Sequence, residues 1–120
     1  MKLDLKYFKE RLEEEKEQLE QRLHEIAIFN KETDTWESIP ESQEEGPESD
    51  PNDLADRLED YEERSVMVRT FSSKLKDVLN ALEKIQNGKY GICEISGEEI
   101  EVARLEANPA ARTNKENRNN

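Results

Sequence analysis

The sequence predicts a mainly α-helical protein, a long antiparallel coiled-coil hairpin followed by a small knuckle and a short helix. Three observations carry that expectation. Two long stretches repeat apolar residues at steps of three and four, the period of a helix. One acidic break holding two of the four prolines separates them, and glycines punctuate the segment after the second stretch. Apolar residues are 32% and charged residues 40% of 120 positions, which suits helices burying a narrow stripe and excludes a large enzyme core.

In the first stretch Leu5, Phe8, Leu12, Leu19, Ile26 and Phe29 fall on one heptad seam that also takes Glu15 and Arg22. Leu23 and Ile28 widen it. No Gly or Pro interrupts Lys2 to Lys31, so a helix of about 30 residues, about 45 Å long, is expected. His24, the only histidine, falls on the solvated face and is read as surface.

Residues 33–50 form the expected tip loop, without helical or strand period. Trp36 either packs across the loop base or faces a partner. From Glu37 to Glu63 twelve acids stand against one base, Arg57. Asp50-Pro51-Asn52-Asp53-Leu54-Ala55-Asp56 opens the second helix: Ser49 or Asp50 can cap it, Pro51 suits its first turn, and Asp53 suits the positive end of its dipole. A capped helix start accounts for one acid. Asp50, Asp53 and Asp56 together suit a cation or a basic partner.

The second helix is expected from Pro51 to about Gln86, with the seam Leu58, Tyr61, Ser65, Val68, Ser72, Leu75, Leu79, Leu82, flanked by Leu54, Phe71, Val78 and Ile85. Ser65 and Ser72 would allow close approach near Arg22 and Glu15. With so few apolar residues, each stripe can be buried only against the other, which makes residues 1–87 a helical hairpin. Asn87-Gly88 ends the helix, Gly88 taking the left-handed position. Tyr90–Cys93 and Glu99–Glu101 then flank a tight turn over Glu94–Gly97. Val102 to Ala107 suits a short helix stopped by Asn108-Pro109, and the polar stretch from Ala110 onward, 112–120 above all, has no apolar anchor and is expected to be disordered.

A net charge of −12 argues against direct nucleic-acid binding, which needs clustered Lys and Arg. No apolar run approaches a membrane span and the N-terminus lacks a signal-peptide core, so a soluble, cytoplasmic chain is expected. The lone Cys93 cannot form an internal disulfide, and no resolving thiol gives it a redox role. No nucleophile–base pair or phosphate-binding loop suggests an enzyme.

Gly88-Lys89-Tyr90-Gly91-Ile92-Cys93, Gly97-Glu98-Glu99-Ile100, Ala103-Arg104-Leu105-Glu106-Ala107 and Pro109 together resemble the C-terminal module of the DksA/TraR family of bacterial transcription regulators. Upstream, Asp50-Pro51-Asn52-Asp53-Leu54-Ala55 resembles the family's Asp-x-x-Asp-x-Ala motif at the coiled-coil tip. The resemblance implies that the hairpin enters the secondary channel of RNA polymerase. Asp50 and Asp53 would then lie near the active centre, Ala55 would keep the tip slim, and the knuckle would dock on the channel rim, with Trp36 and Arg104 as further partner contacts. The same scaffold could serve instead as a coiled-coil adaptor for another protein. A monomer is expected.

Family members usually hold one zinc ion with four cysteines. The matching positions here are Cys93, Ser96, Asn114 and Asn117, so the module at 88–111 is a degenerate zinc-ribbon-like knuckle, similar to zinc-free relatives in sporulating Gram-positive bacteria that also carry a Trp before the tip. No structural zinc is expected, and the module would rest on packing of Tyr90, Ile92, Ile95, Ile100 and Leu105. Some members bind the alarmone ppGpp. Arg104 and Arg118 match its basic positions, but Asp77 replaces a lysine and Asn108 an arginine, so that site is not expected to form.

Overall fold

The computed structural model describes residues 3–39 and 51–118. The elements in order are α1 (Leu5–Ile26), β1 (Ala27–Asn30), β2 (Thr35–Ser38), α2 (Pro51–Asn87), α3 (Val102–Ala107) and a 3-10 turn (Lys115–Asn117). The mainly helical class and the long helix pair are as the sequence predicts. The contacts gather into two compact units, one of Met1–Leu19 with Lys74–Asn120 and one of Glu20–Ser73.

In the first unit Asp4 caps α1, its carboxylate accepting the Tyr7 amide at 3.1 Å. The helix therefore starts at Leu5 and not at Lys2. Phe8, Leu12 and Leu19 of α1, Leu75, Val78 and Ala81 of α2, and Tyr90, Cys93, Ile100, Leu105 and Ala110 are buried. The Phe8 and Tyr90 rings, 5.7 Å apart, join helix to knuckle. The predicted seam through Leu79 and Leu82 is corrected here: Leu79 is 43% exposed and Val78 and Ala81 are inside. The C-terminal segment is the reason, because it covers the face of α2 that carries Asp77, Asn80 and Lys84, and all three bond to it. Ile92 and Ile95, expected in this core, are exposed, whereas Tyr90, Ile100 and Leu105 are buried as expected.

Helix α2 ends where the sequence indicates. Gly88 has φ +74°, its amide donates to Ile85 O at 3.3 Å, and the Lys89 amide donates to Lys84 O at 2.8 Å, the paired bonds of a Schellman stop. The knuckle then forms around an Ile92↔Glu99 bridge, with the Cys93 amide on Glu98 O at 2.8 Å and the Gly97 amide on Cys93 O at 3.0 Å.

In the second unit the expected helix to Lys31 is corrected, since α1 stops at Ile26 and the chain turns into a β-hairpin. The strands pair antiparallel, with Phe29 opposite Trp36 and Asn30 opposite Thr35. Ile, Phe, Thr and Trp favour a pleated strand. The Asn30 carboxamide accepts the amides of Glu32 at 2.9 Å and Thr33 at 3.4 Å, and Asp34 takes φ +57° to close the turn. Part of the expected loop, Thr35–Ser38, is thus a strand, and the remainder from Pro40 to Asp50 lies outside the described residues.

Leu23, Ala27 and Val68 are buried in this unit. From Leu19 the α1 stripe moves by a step of four to Leu23, leaving Arg22 exposed, as a 3.6-residue helix drifts from a strict heptad; Ala27 is buried and Phe29 exposed on β1. Leu5, at the far end of that seam, is also exposed. In α2, Leu54 and Leu58 are 50% and 53% exposed, because α1 has already stopped. The Ser65 hydroxyl donates to Tyr61 O at 2.9 Å and accepts Ser38 Oγ at 3.1 Å, while Arg22 lies over the Phe71 ring. Among the described residues no helix is long and apolar enough to cross a membrane.

Candidate functional site

Two regions carry the predicted site residues, the start of α2 and the knuckle. At the start of α2, Asp53 lies in the first turn and both Asp53 and Ala55 are exposed. Asp50 lies outside the described residues. Trp36 is half-buried on β2, its ring 5.0 Å from His24 and 5.3 Å from Phe29. It packs across the hairpin base, which is one of the two readings of the sequence, and it gives His24 a partner that its place on a polar face did not suggest.

The four positions that the resemblance would set at the family's zinc ligands lie together in the knuckle. Cys93 is 1% exposed and Asn114 4% exposed. The Ser96 amide donates to Cys93 Sγ at 3.5 Å, Asn114 Nδ2 donates to Ser96 Oγ at 3.4 Å, and Asn114 Oδ1 accepts the Asn117 amide at 3.1 Å and Asn117 Nδ2 at 2.8 Å. Burial pushes the Cys93 thiol up, but hydrogen bonds from the Ser96 hydroxyl and from the amides of Ser96, Asn114 and Ile95 outweigh it and bring the thiol down to about 7.

These groups do not fit a tetrahedral zinc. Such a site takes four thiolate, imidazole or carboxylate donors at about 2.0–2.3 Å. Here one sulfur meets a hydroxyl and two neutral carboxamides that are already bonded to one another. Among the described residues no group of three or more His, Cys, Asp or Glu side chains gathers as metal ligands.

Around the cluster lies a charged clamp that the sequence did not reveal. Glu94 Oε1 receives Lys84 Nζ at 2.7 Å, Asn80 Nδ2 at 3.1 Å and Arg112 Nη1 at 3.4 Å, and Arg112 Nε reaches Asp77 Oδ1 at 2.7 Å. The hydrogen bond from Lys84 holds the Glu94 carboxyl below its ordinary range, against the effect of burial, with Asn80 and the Lys84 and Arg112 charges adding to it. Asp77, the acid expected to repel phosphates, is thus engaged by a base of its own chain. Arg104, expected to face a partner, turns its Nε to Thr113 O at 2.7 Å. On the other side of α3, Arg11 Nη1 donates to Glu106 O at 2.8 Å and the Tyr7 hydroxyl to the Glu106 carboxylate at 3.0 Å.

The C-terminal stretch is not a free tail. Ala110 and Asn114 are buried and the chain is ordered through the 3-10 turn. The signal that pointed there was the spacing: Asn114-x-x-Asn117 repeats that of Cys93-x-x-Ser96. Arg112 and Asp77, 35 residues apart, left no local signal.

The chain is similar to known proteins over most of its length. The family signature described as the prokaryotic dksA/traR C4-type zinc finger matches residues 88–113, ending just before Asn114. The chain is 32% identical over 116 residues to the uncharacterized protein YteA of Bacillus subtilis (strain 168), covering 93% of this chain but 46% of YteA, so it spans about half of that relative. It is 33% identical over 111 residues to the RNA polymerase-binding transcription factor DksA of Caulobacter vibrioides (strain NA1000 / CB15N), covering 89% of this chain and 68% of that one. The structure of the transcription factor DksA2 from Pseudomonas aeruginosa superposes with a TM-score of 0.68 at 26% identity, over 93% of this chain and 78% of that one.

Proposed function

Because this chain belongs to the DksA/TraR family, we propose that it is a transcription regulator that binds RNA polymerase through the secondary channel and sets its tip acids near the active centre. The observation that carries the reading is the match to the Caulobacter DksA across 89% of the chain. The exposed Asp53 and Ala55, in the family's motif at the start of α2, support it. So does reach: a 37-residue helix is about 55 Å long. A net charge of −12 suits steering into a basic pore and not a grip on nucleic acid.

In this reading the protein acts as a cytoplasmic monomer without catalysis of its own. Asp50 and Asp53 perturb the active-site region electrostatically, and the knuckle seats on the channel rim. ppGpp plays no part, a view supported by Asp77 and Asn108 standing where the resemblance expects bases and by the engagement of Arg104 Nε with Thr113 O. Micromolar ppGpp binding to the protein–polymerase complex by calorimetry would overturn that point.

The test compares wild type with Asp50→Asn plus Asp53→Asn on purified RNA polymerase. Both proteins are expected to bind, and only wild type to change open-complex lifetime. Failure of wild type to bind sinks the reading. A second reading, an adaptor for another protein, is favoured by the apolar surface of the β-hairpin, where Ile28 is 58% and Phe29 and Ile39 are each 37% exposed. It predicts binding that survives the tip changes and is lost on Ile28→Asp.

A further inference from the structure

We propose that residues 112–117 are a hydrogen-bonded strap, centred on the buried Asn114, that closes the knuckle in place of a metal ion. The strap belongs to the knuckle alone and does not depend on the polymerase reading.

Four consecutive residues tie the strap down, each to a different partner. Arg112 O accepts the Glu94 amide at 2.9 Å, and Thr113 O accepts Arg104 Nε at 2.7 Å. Asn114 Nδ2 donates to Ser96 Oγ at 3.4 Å, and the Lys115 amide donates to the Glu101 carboxylate at 3.0 Å. Glu94 and Ser96 lie on the knuckle turn, Glu101 at the entry to α3 and Arg104 within it, so the strap links the two halves that four thiolates would otherwise join through one ion.

Asn114 has the chemistry for the centre. A carboxamide both donates and accepts. Its Nδ2 reaches across to Ser96 while its Oδ1 gathers the Asn117 backbone and side-chain N–H groups, capping the 3-10 turn that ends the strap. Ser96 Oγ also accepts the Glu98 amide at 3.3 Å, which extends the bonds back into the turn. Cys93, the remaining thiol, is packed beneath this cover. A buried polar network is stabilising when its members are satisfied, and Asn114 uses both the donor and the acceptor end of its carboxamide. The interchange with a metal is a matter of geometry: the strap ties position 114 directly to position 96, and position 117 to position 114.

The experiment measures amide hydrogen exchange over residues 93–117 of the full chain, with and without EDTA or added Zn²⁺, together with zinc content by elemental analysis after purification without chelator. Wild type is expected to carry no stoichiometric zinc and to exchange at the same rate under all three conditions. Asn114→Ala is expected to speed exchange at the Ser96 and Asn117 amides by about tenfold or more, as loss of a buried bond and exposure of its partners require.

Should that variant lose the knuckle altogether, Ser96→Cys, Asn114→Cys and Asn117→Cys combined decides the matter. With the strap's bonds replaced by thiolates, protection should depend on zinc and return when one ion binds per chain. The proposal fails if wild type holds about one zinc, if EDTA speeds its exchange, if Asn114→Ala leaves exchange unchanged, or if the triple variant binds no zinc.

Discussion

Replacing Glu94 by Gln removes one charge from a clamp while keeping its shape. The carboxylate receives three donors, from Lys84, Asn80 and Arg112, and its side chain is 36% exposed, so solvent screens each contact. Gln still accepts from Asn80, so the two charge contacts, with Lys84 and Arg112, are what is lost, at roughly 0.3–0.5 kcal/mol each or about 1 kcal/mol together. A loss of that size lowers the midpoint of thermal unfolding by roughly 3–6 °C. The pH dependence has a definite sign. The folded carboxyl titrates below its ordinary range, so the clamp's contribution is complete above the unfolded value of 4.5 and is lost as pH falls through the lower folded one. Wild type and Glu94→Gln should therefore differ at pH 7, converge below pH 4.5, and differ less in high salt. Thermal melts from pH 7 to pH 3 test this. An equal gap at both extremes would refute an electrostatic clamp and leave only a packing role for the residue.

Two other perturbations probe the first unit. Tyr90→Phe removes a buried hydroxyl that donates to Pro109 O at 2.7 Å and should cost about 1–2 kcal/mol in denaturant titrations. Burial pushes the Tyr90 phenol up to about 12, against a lowering by the Arg11 charge and with a further rise from Glu106, so its share of stability is whole below pH 10 and falls as pH climbs toward 12, a decline the Phe variant should lack. Gly91→Ala puts a Cβ 2.6 Å from Leu3 Cδ1 at φ +85°. It should destabilise by about 1–2 kcal/mol from the backbone plus the steric overlap, and in a Leu3→Ala background only the backbone part should remain in the unfolding free energy.

The sequence made α2 legible to within a residue because its signals are local: Pro51 in the first turn, Asp53 at the positive end, Gly88 just past the end. The end of α1 was not, because Ala27-Ile28-Phe29 continue a helical spacing as well as they begin a strand. What decides between them is Trp36, the cross-strand partner of Phe29, and pairing of that kind leaves no mark on either segment alone. Likewise Leu79 and Val78 are equally apolar, and α2 turned Val78 inward because the knuckle supplied a second partner for that side. The knuckle's four positions were legible through the family's spacing. Asn114 as an organising centre was not, since its order rests on hydrogen bonds, and apolar periodicity carries no trace of them. Arg104 was recognised as important, but its Nε serves Thr113 O.

From Asn52 to Met67 helix α2 contains no buried residue, and its buried positions begin at Val68. In these sixteen residues Ser65 is tied to Ser38 Oγ, and Arg57, Tyr61, Arg64 and Ser65 are half-buried; a stretch with so little burial sits near the margin of helix stability in water. This stretch can fray from its N-terminal end while Val68 and the turns beyond it stay wound. Local opening there costs far less than global unfolding. A receptor that recognises Asp53 and Ala55 in helical register selects the wound fraction, and its apparent dissociation constant scales inversely with that fraction. Substitutions on the solvent side that touch no partner, such as Asp60→Ala or Glu62→Gly, would then tune affinity in opposite directions through helix propensity alone.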